Sequence, residues 1–274
     1  MIDNQDYRLR ERLKEAKRIV VKIGTSSLTY ENGHINMGRI GKLSRVLCDF
    51  LNQGREVILV SSGAIGVGVD KLKMGRKPES VSGRQAAAAV GQCALMHIYS
   101  QFFAEYGYNV AQVLLTKDVV EREESKENVI NTFQELISMN VVSIVNENDT
   151  VSVDEIKFGD NDYLSYIVAS LAEADTLIIL TDIDGFYDKN PSKSKDAVLY
   201  HNITDLSEKI EEAAGGAGSS LGTGGMLTKV HACRLAADLG VNAVIANGTD
   251  PEILYDIING QDVGTLFVGK VENK

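Results

Sequence analysis

A chain of 274 residues with 44% hydrophobic and 24% charged residues has the composition of a folded globular protein. It is long enough to bury a core without disulfide or metal staples. Thirty-eight acidic residues against 28 basic ones leave a formal charge of −10, which argues against a nucleic-acid partner, whose phosphates need a basic face. Cys48, Cys93 and Cys233 fit neither a disulfide framework nor paired metal-ligand spacing. The charged N-terminus lacks the apolar segment of a secretory signal, and no run approaches the length of a membrane span. A cytoplasmic protein with no membrane partner is therefore expected.

Residues 3–17 read as a polar helix, and 18–24 (RIVVKIG) as a short buried strand ending in glycine. Within 25–37, Asn32-Gly33 is a turn signal suited to a hairpin tip. Apolar positions at helical spacing (Ile40, Leu43, Val46, Leu47, Phe50, Leu51) predict a helix over 38–53, with Gly54 as its stop. A second buried strand, 56–61 (EVILVS), leads into Ser62-Gly63-Ala64. The alternation continues: helices over 84–105, 126–139, 161–172, 225–239 and 250–259, and strands over 109–115, 141–145, 176–181 and 241–246. A hairpin is expected over 151–157. Short apolar strands alternating with helices predict a mostly parallel sheet covered on both faces, in one α/β domain.

Ligands of open parallel sheets bind beyond the carboxyl ends of the strands, and the polar clusters of this chain fall there. Lys22 lies inside an apolar run beside Gly24-Thr25. Two readings fit it: a lysine paired or snorkelling at a strand end, or a point charge aimed at phosphate next to backbone N–H groups. The segment 62–68 has the spacing G-x-x-G-x-G, which is not the dinucleotide fingerprint. It suits a tight strand-to-helix turn and equally an anion site at a helix N-terminus. Residues 215–229 (GGAGSSLGTGGMLTK) hold many glycines before a helical pattern but lack the lysine placement of a Walker A loop. Such a segment is either a flexible surface loop or a phosphate cover with Lys229 reaching in from the first turn. Asn146-Glu147-Asn148-Asp149 and Gly159-Asp160-Asn161-Asp162 are dense in turn and cap formers. Their proximity in the chain points to a polar pocket for an amine, a Mg²⁺ ion or nearby lysines. The four histidines show no ligand spacing.

Taken together, VKIGTSSL (21–28), SSGAIGVG (61–68), NEND (146–149), KFGDND (157–162), TDIDGFY (181–187) and GTGGMLTK (222–229) resemble the motifs of the glutamate 5-kinases, a branch of the amino acid kinase superfamily. The resemblance holds in order and spacing over about residues 18–269. It implies a three-layer αβα sandwich. It implies phosphorylation of the γ-carboxylate of L-glutamate by ATP with Mg²⁺, the first step of proline biosynthesis. By motif alignment, Lys22 and Lys229 would neutralise the transferring phosphoryl group and Asp162 would organise them. Ser62, Asn146, Asp149 and Asn161 would bind glutamate. Lys22, Thr181, Asp182, Thr223, Gly224, Gly225, Met226, Leu227, Thr228 and Lys229 would bind ATP. Such chemistry needs no general base, because the acceptor carboxylate is ionised at neutral pH. The resemblance also implies feedback inhibition by proline and a homo-oligomer, a dimer or tetramer. Many members carry a C-terminal RNA-modification-type (PUA) module, which is not expected here; residues 1–274 are expected to form a single kinase domain that includes a short N-terminal extension.

Overall fold

The computed structural model describes residues 4–30, 33–151, 161–216 and 225–270. Its centre is an eight-stranded sheet: β1 (Arg18–Ile23), β2 (Glu56–Ser61), β3 (Val110–Leu115), β4 (Val142–Glu147), β5 (Thr176–Thr181), β6 (Asn202–Ile203), β7 (Asn242–Asn247) and β8 (Thr265–Phe267), in the spatial order β3-β4-β2-β1-β5-β7-β8-β6. All neighbours run parallel except β7 and β8. The helices among the described residues are α1 (Asn4–Glu11), α2 (Thr25–Leu28), α3 (Met37–Asn52), α4 (Ala64–Lys71), α5 (Val81–Ala104), α6 (Glu123–Ser138), α7 (Asn161–Leu171), α8 (Glu208–Gly216), α9 (Met226–Asp238) and α10 (Ile253–Ile258).

The two-residue alternation of strand side chains divides the core in two. Ile19, Val21 and Ile23 of β1, with Leu59, Ile144 and Ile178 beside them, pack against α3, α5 and α10. Val20, with Ile58, Val145, Leu177 and Ile179, packs on the opposite face against α7, α9 and Phe133 of α6. A sheet covered on both faces disfavours polar alternation, which is why the central strands read as nearly continuous apolar runs, interrupted by Lys22 in β1 and Ser143 in β4. The result is the expected αβα sandwich. The 25–37 segment forms the short α2, then an antiparallel bridge between Thr29 and Ile35, with Gly33 at φ +84°. The expected hairpin over 151–157 falls almost entirely outside the described residues.

Several elements differ from the sequence reading, which had no β6, α8 or β8 and a longer first helix. The N-terminal helix stops at Glu11, and the following turns bury Leu13 and Ala16. Buried Arg10 donates to the carbonyls of His201, Gln261, Val263 and Gly264, so this segment clamps the approach to β8. β8 itself, only three residues long, had no legible period. A further feature fixes the site geometry. A Cβ on Gly68 of α4 would sit 1.8 Å from the Ala87 carbonyl oxygen, and one on Gly91 of α5 would sit 1.8 Å from that of Ala64. The two helices therefore touch backbone to backbone, which only glycine permits.

Candidate active site

Lys22 shares the sheet face of Val20, so strand alternation aims it at the layer holding α7 and α9. There it meets Asp162, in the first turn of α7, with Nζ 2.5 Å from Oδ1. Lys229, in the first turn of α9, lies 3.1 Å from Oδ2 of the same carboxylate. The Thr228 hydroxyl, 2.9 Å from Oδ2 and 2.8 Å from the Gly225 carbonyl, shares its one proton between the two acceptors. Asp162 is 0% exposed, Lys22 5% and Lys229 7%. Two ammonium groups and one carboxylate leave a buried net positive charge, held at the N-terminal ends of two helices whose dipoles add to it. A group of that sign and shape suits a phosphoryl anion. One turn on, Cys233 is fully buried; burial first, and then the charge of Asp162, push its thiol well up despite Lys229, so it is no nucleophile at neutral pH.

Next to Asp162 in the chain, Asn161 starts a second cluster. Its Nδ2 lies 2.9 Å from the Ser61 carbonyl, 3.0 Å from Ser62 Oγ and 2.9 Å from Asn146 Oδ1. Asn146 Oδ1 also accepts the Glu147 backbone N–H at 2.9 Å, and Asn146 Nδ2 donates to Gln92 Oε1 at 2.8 Å. Ser62 precedes Gly63, the N-cap of α4 at φ +95°, a left-handed conformation that favours glycine. Gly63 thus supplies the sharp strand-to-helix turn that the sequence suggested, while Gly68 serves the helix crossing instead.

These residues open onto a cavity of about 770 Å³. Ser62, Asn146, Asp149 and Asn161 line it together, joined by Thr25, Glu147 and the cationic Lys73, Arg76 and Lys77. Every sequence-predicted glutamate position is therefore in one place. Of the expected nucleotide positions, Thr181 and Asp182 sit at the carboxyl end of β5, where the Thr181 hydroxyl donates to Asp182 Oδ1 at 3.1 Å. Gly225 caps α9, and Met226, Leu227, Thr228 and Lys229 form its first turn, with Leu227 exposed. Thr223 and Gly224 lie outside the described residues. Sequence reading missed Gln92, which sits in a helix nearly devoid of charge and gives no local signal. It also missed the cavity role of Glu147, although Glu147 stands inside a motif already singled out. Among the described residues no group of three or more His, Cys, Asp or Glu side chains is arranged to hold a metal ion, and no helix is long and apolar enough to cross a membrane.

The model of the amino acid kinase family matches residues 17–247. A glutamate 5-kinase of Clostridium perfringens is 58% identical over 266 residues, covering 96% of this chain and 99% of the relative. A glutamate 5-kinase of Listeria innocua is 54% identical over 268 residues, covering 96% and 97%, and one of Enterococcus faecalis is 50% identical over 264 residues, covering 95% and 97%. Among solved structures, the UMP kinase of Ureaplasma parvum superposes with a TM-score of 0.63 at 16% identity, over 92% of this chain and 98% of that one. That likeness concerns the fold.

Proposed function

The chain belongs to the amino acid kinase family and, within it, to the glutamate 5-kinases, and from that premise we propose that it transfers the γ-phosphoryl group of ATP to the γ-carboxylate of L-glutamate. The products are L-glutamyl 5-phosphate and ADP, and the step opens proline biosynthesis. One observation carries the reading: a cationic cluster suited to phosphate (Lys22, Asp162, Lys229) adjoins, through Asn161, a polar cavity suited to an amino acid.

A γ-carboxylate oxygen attacks phosphorus, and the bond to the ADP oxygen breaks. The acceptor is already ionised, so the protein supplies position and charge rather than a base. Lys22 and Lys229 neutralise the phosphoryl oxygens as charge moves onto the leaving group. Asp162 holds both ammonium groups in place. The Ser62 oxygen accepts from Asn161 and keeps its own proton to donate to a substrate carboxylate. The carboxylate of Asp149 faces the substrate ammonium. Asn146 lines the same pocket. Thr181, Asp182 and the 223–229 segment hold the nucleotide. The donors at the phosphate end are lysines and a helix N-terminus, which fit phosphate and not a bare cation, so Mg²⁺ would enter on the nucleotide's oxygens with water as its other ligand. When bound, it screens the β- and γ-phosphate charge.

The reading includes cytoplasmic residence, a homo-oligomeric state and inhibition by proline. The test is an acyl-phosphate trap: protein, ATP, Mg²⁺, L-glutamate and hydroxylamine, with and without proline. Glutamyl hydroxamate should form in step with ADP and decline when proline is added. Turnover of N-acetylglutamate without turnover of glutamate would overturn the assignment, because an acylated amine has no use for Asp149.

A further inference from the structure

Asn161 and Asn146 carry amides whose orientation is set by backbone groups of unambiguous character. The Ser61 carbonyl can only accept, so the atom of Asn161 facing it is Nδ2. The Glu147 N–H can only donate, so the atom of Asn146 facing it is Oδ1. Both protons of Asn161 Nδ2 are thereby spent inside the protein, on the Ser61 carbonyl, Ser62 and Asn146. What Asn161 has left for a ligand is Oδ1, an acceptor.

The remaining end of Asn146 is fixed by Gln92, which is 8% exposed and meets Asn146 Nδ2. Its Oε1 accepts that proton, while its own Nε2 is buried with no hydrogen-bond partner among the described residues. A buried donor without a partner costs stability, so the fold gains nothing from the amide end of Gln92. Its position is tightly constrained: the neighbouring Gly91 lies where α5 meets the backbone of α4, just behind the Ser62-Gly63 turn.

We propose that Gln92 is a positioning residue for recognition of the substrate's α-ammonium group. Through Asn146, and alongside the Ser61 carbonyl and the Glu147 N–H, it steadies Asn161 so that Oδ1 is the end left for the cavity, and Asn161 and Asp149 together present acceptors to a cation. The inference rests on the reading of Asn161 and Ser62 as glutamate contacts, and it adds a residue outside the cavity lining that tunes selectivity for a free amine.

The test replaces Gln92 by Met, which keeps length and volume but offers no oxygen acceptor, and by Glu, which offers an acceptor in either protonation state. In Gln92→Met the KM for glutamate should rise about fivefold, the loss of one buried hydrogen bond's ordering effect. The kcat and the KM for ATP should stay within about twofold, and the inhibition constant of glutarate, which has no ammonium group, should not move by more than that. The melting temperature should change little, since the orphaned Gln92 amide is removed while Asn146 Nδ2 loses its acceptor. Gln92→Glu should recover most of the glutamate KM. A Gln92→Met enzyme with wild-type glutamate KM overturns the proposal. So does one in which glutamate, glutarate, ATP and melting temperature all worsen together, which marks a merely structural role. A wild-type protein that neither binds nor phosphorylates glutamate removes the substrate reading and this inference with it. An active wild type with an insensitive variant removes Gln92 alone.

Discussion

Asp162→Asn is the sharpest perturbation of the cationic cluster, because it changes one charge and almost no volume. The carboxylate stands 2.5 Å from Lys22 Nζ and 3.1 Å from Lys229 Nζ, with all three groups under one-tenth exposed. Two oxygens of one carboxylate cannot hold the two nitrogens more than about 8 Å apart, and at an effective dielectric near 20 their unscreened repulsion is about 2 kcal/mol. The asparagine can accept from one lysine, but its NH₂ then confronts the other as donor against donor. Stranding buried ammonium groups in this way costs about 3–5 kcal/mol, which for a chain of this size lowers the melting temperature by about 10 °C. Thermal denaturation with a dye reporter measures it directly. Lys22→Met added to Asp162→Asn should restore part of the loss by removing one of the repelling charges. ATP should raise the melting temperature of Asp162→Asn more than that of the wild type, because phosphate replaces the missing anion. Turnover should fall about 100-fold as the lysines lose their positions. An Asp162→Asn protein that melts with the wild type, or a double variant less stable than the single, would refute the electrostatic reasoning.

Three further outcomes are expected. Gly68→Ala and Gly91→Ala should each destabilise the fold by at least about 1–3 kcal/mol in chemical denaturation, since the new Cβ meets a carbonyl oxygen at 1.8 Å in both cases. Gly38→Ala, whose nearest neighbour would be 3.7 Å away, should be neutral or stabilising by up to about 1 kcal/mol as a better helix former. A thiol reagent at neutral pH should modify only exposed Cys93 in the native protein, and all three cysteines after unfolding. Burial pushes the Cys48 thiol up to about 12 and that of Cys233 well above its ordinary value. The carboxyl of Glu211 is raised by burial but held below its ordinary value of 4.5 overall by Arg234 and His231. A depressed carboxyl stabilises the fold above its unfolded pKa, and that stabilisation fades as pH falls through the lower folded value. Stability profiles of Glu211→Gln should therefore lose less between neutral pH and the acid limb than the wild type; an identical acid slope would remove the pair from the account.

By itself the sequence determined the layered α/β architecture and the edge at which chemistry collects. Both are local properties: a strand buried on two faces shows as an apolar run, a helix as a 3.6-residue period, and the polar clusters stand where such runs end. The motifs at 61–68, 146–149, 157–162 and 222–229 were legible for the same reason, since each is contiguous, while the roles expected of their residues came from the family resemblance. The early stop of α1, the three-residue β8 and the backbone contact of α4 with α5 were not legible. In each, the deciding partner is far away in the chain: the carbonyls around Gly264 for Arg10, β7 for β8, and Ala87 for Gly68. Lys22 shows the division most clearly. Its place inside an apolar run was plain, but a paired lysine and a phosphate-facing lysine give the same local pattern. Only the tertiary structure, by setting α7 and α9 against one face of β1, gave it a carboxylate shared with Lys229, which is the paired reading. Gln92 carried no signal at all, because a neutral amide on a nearly uncharged helix acquires meaning only from the two amides that folding lines up beyond it.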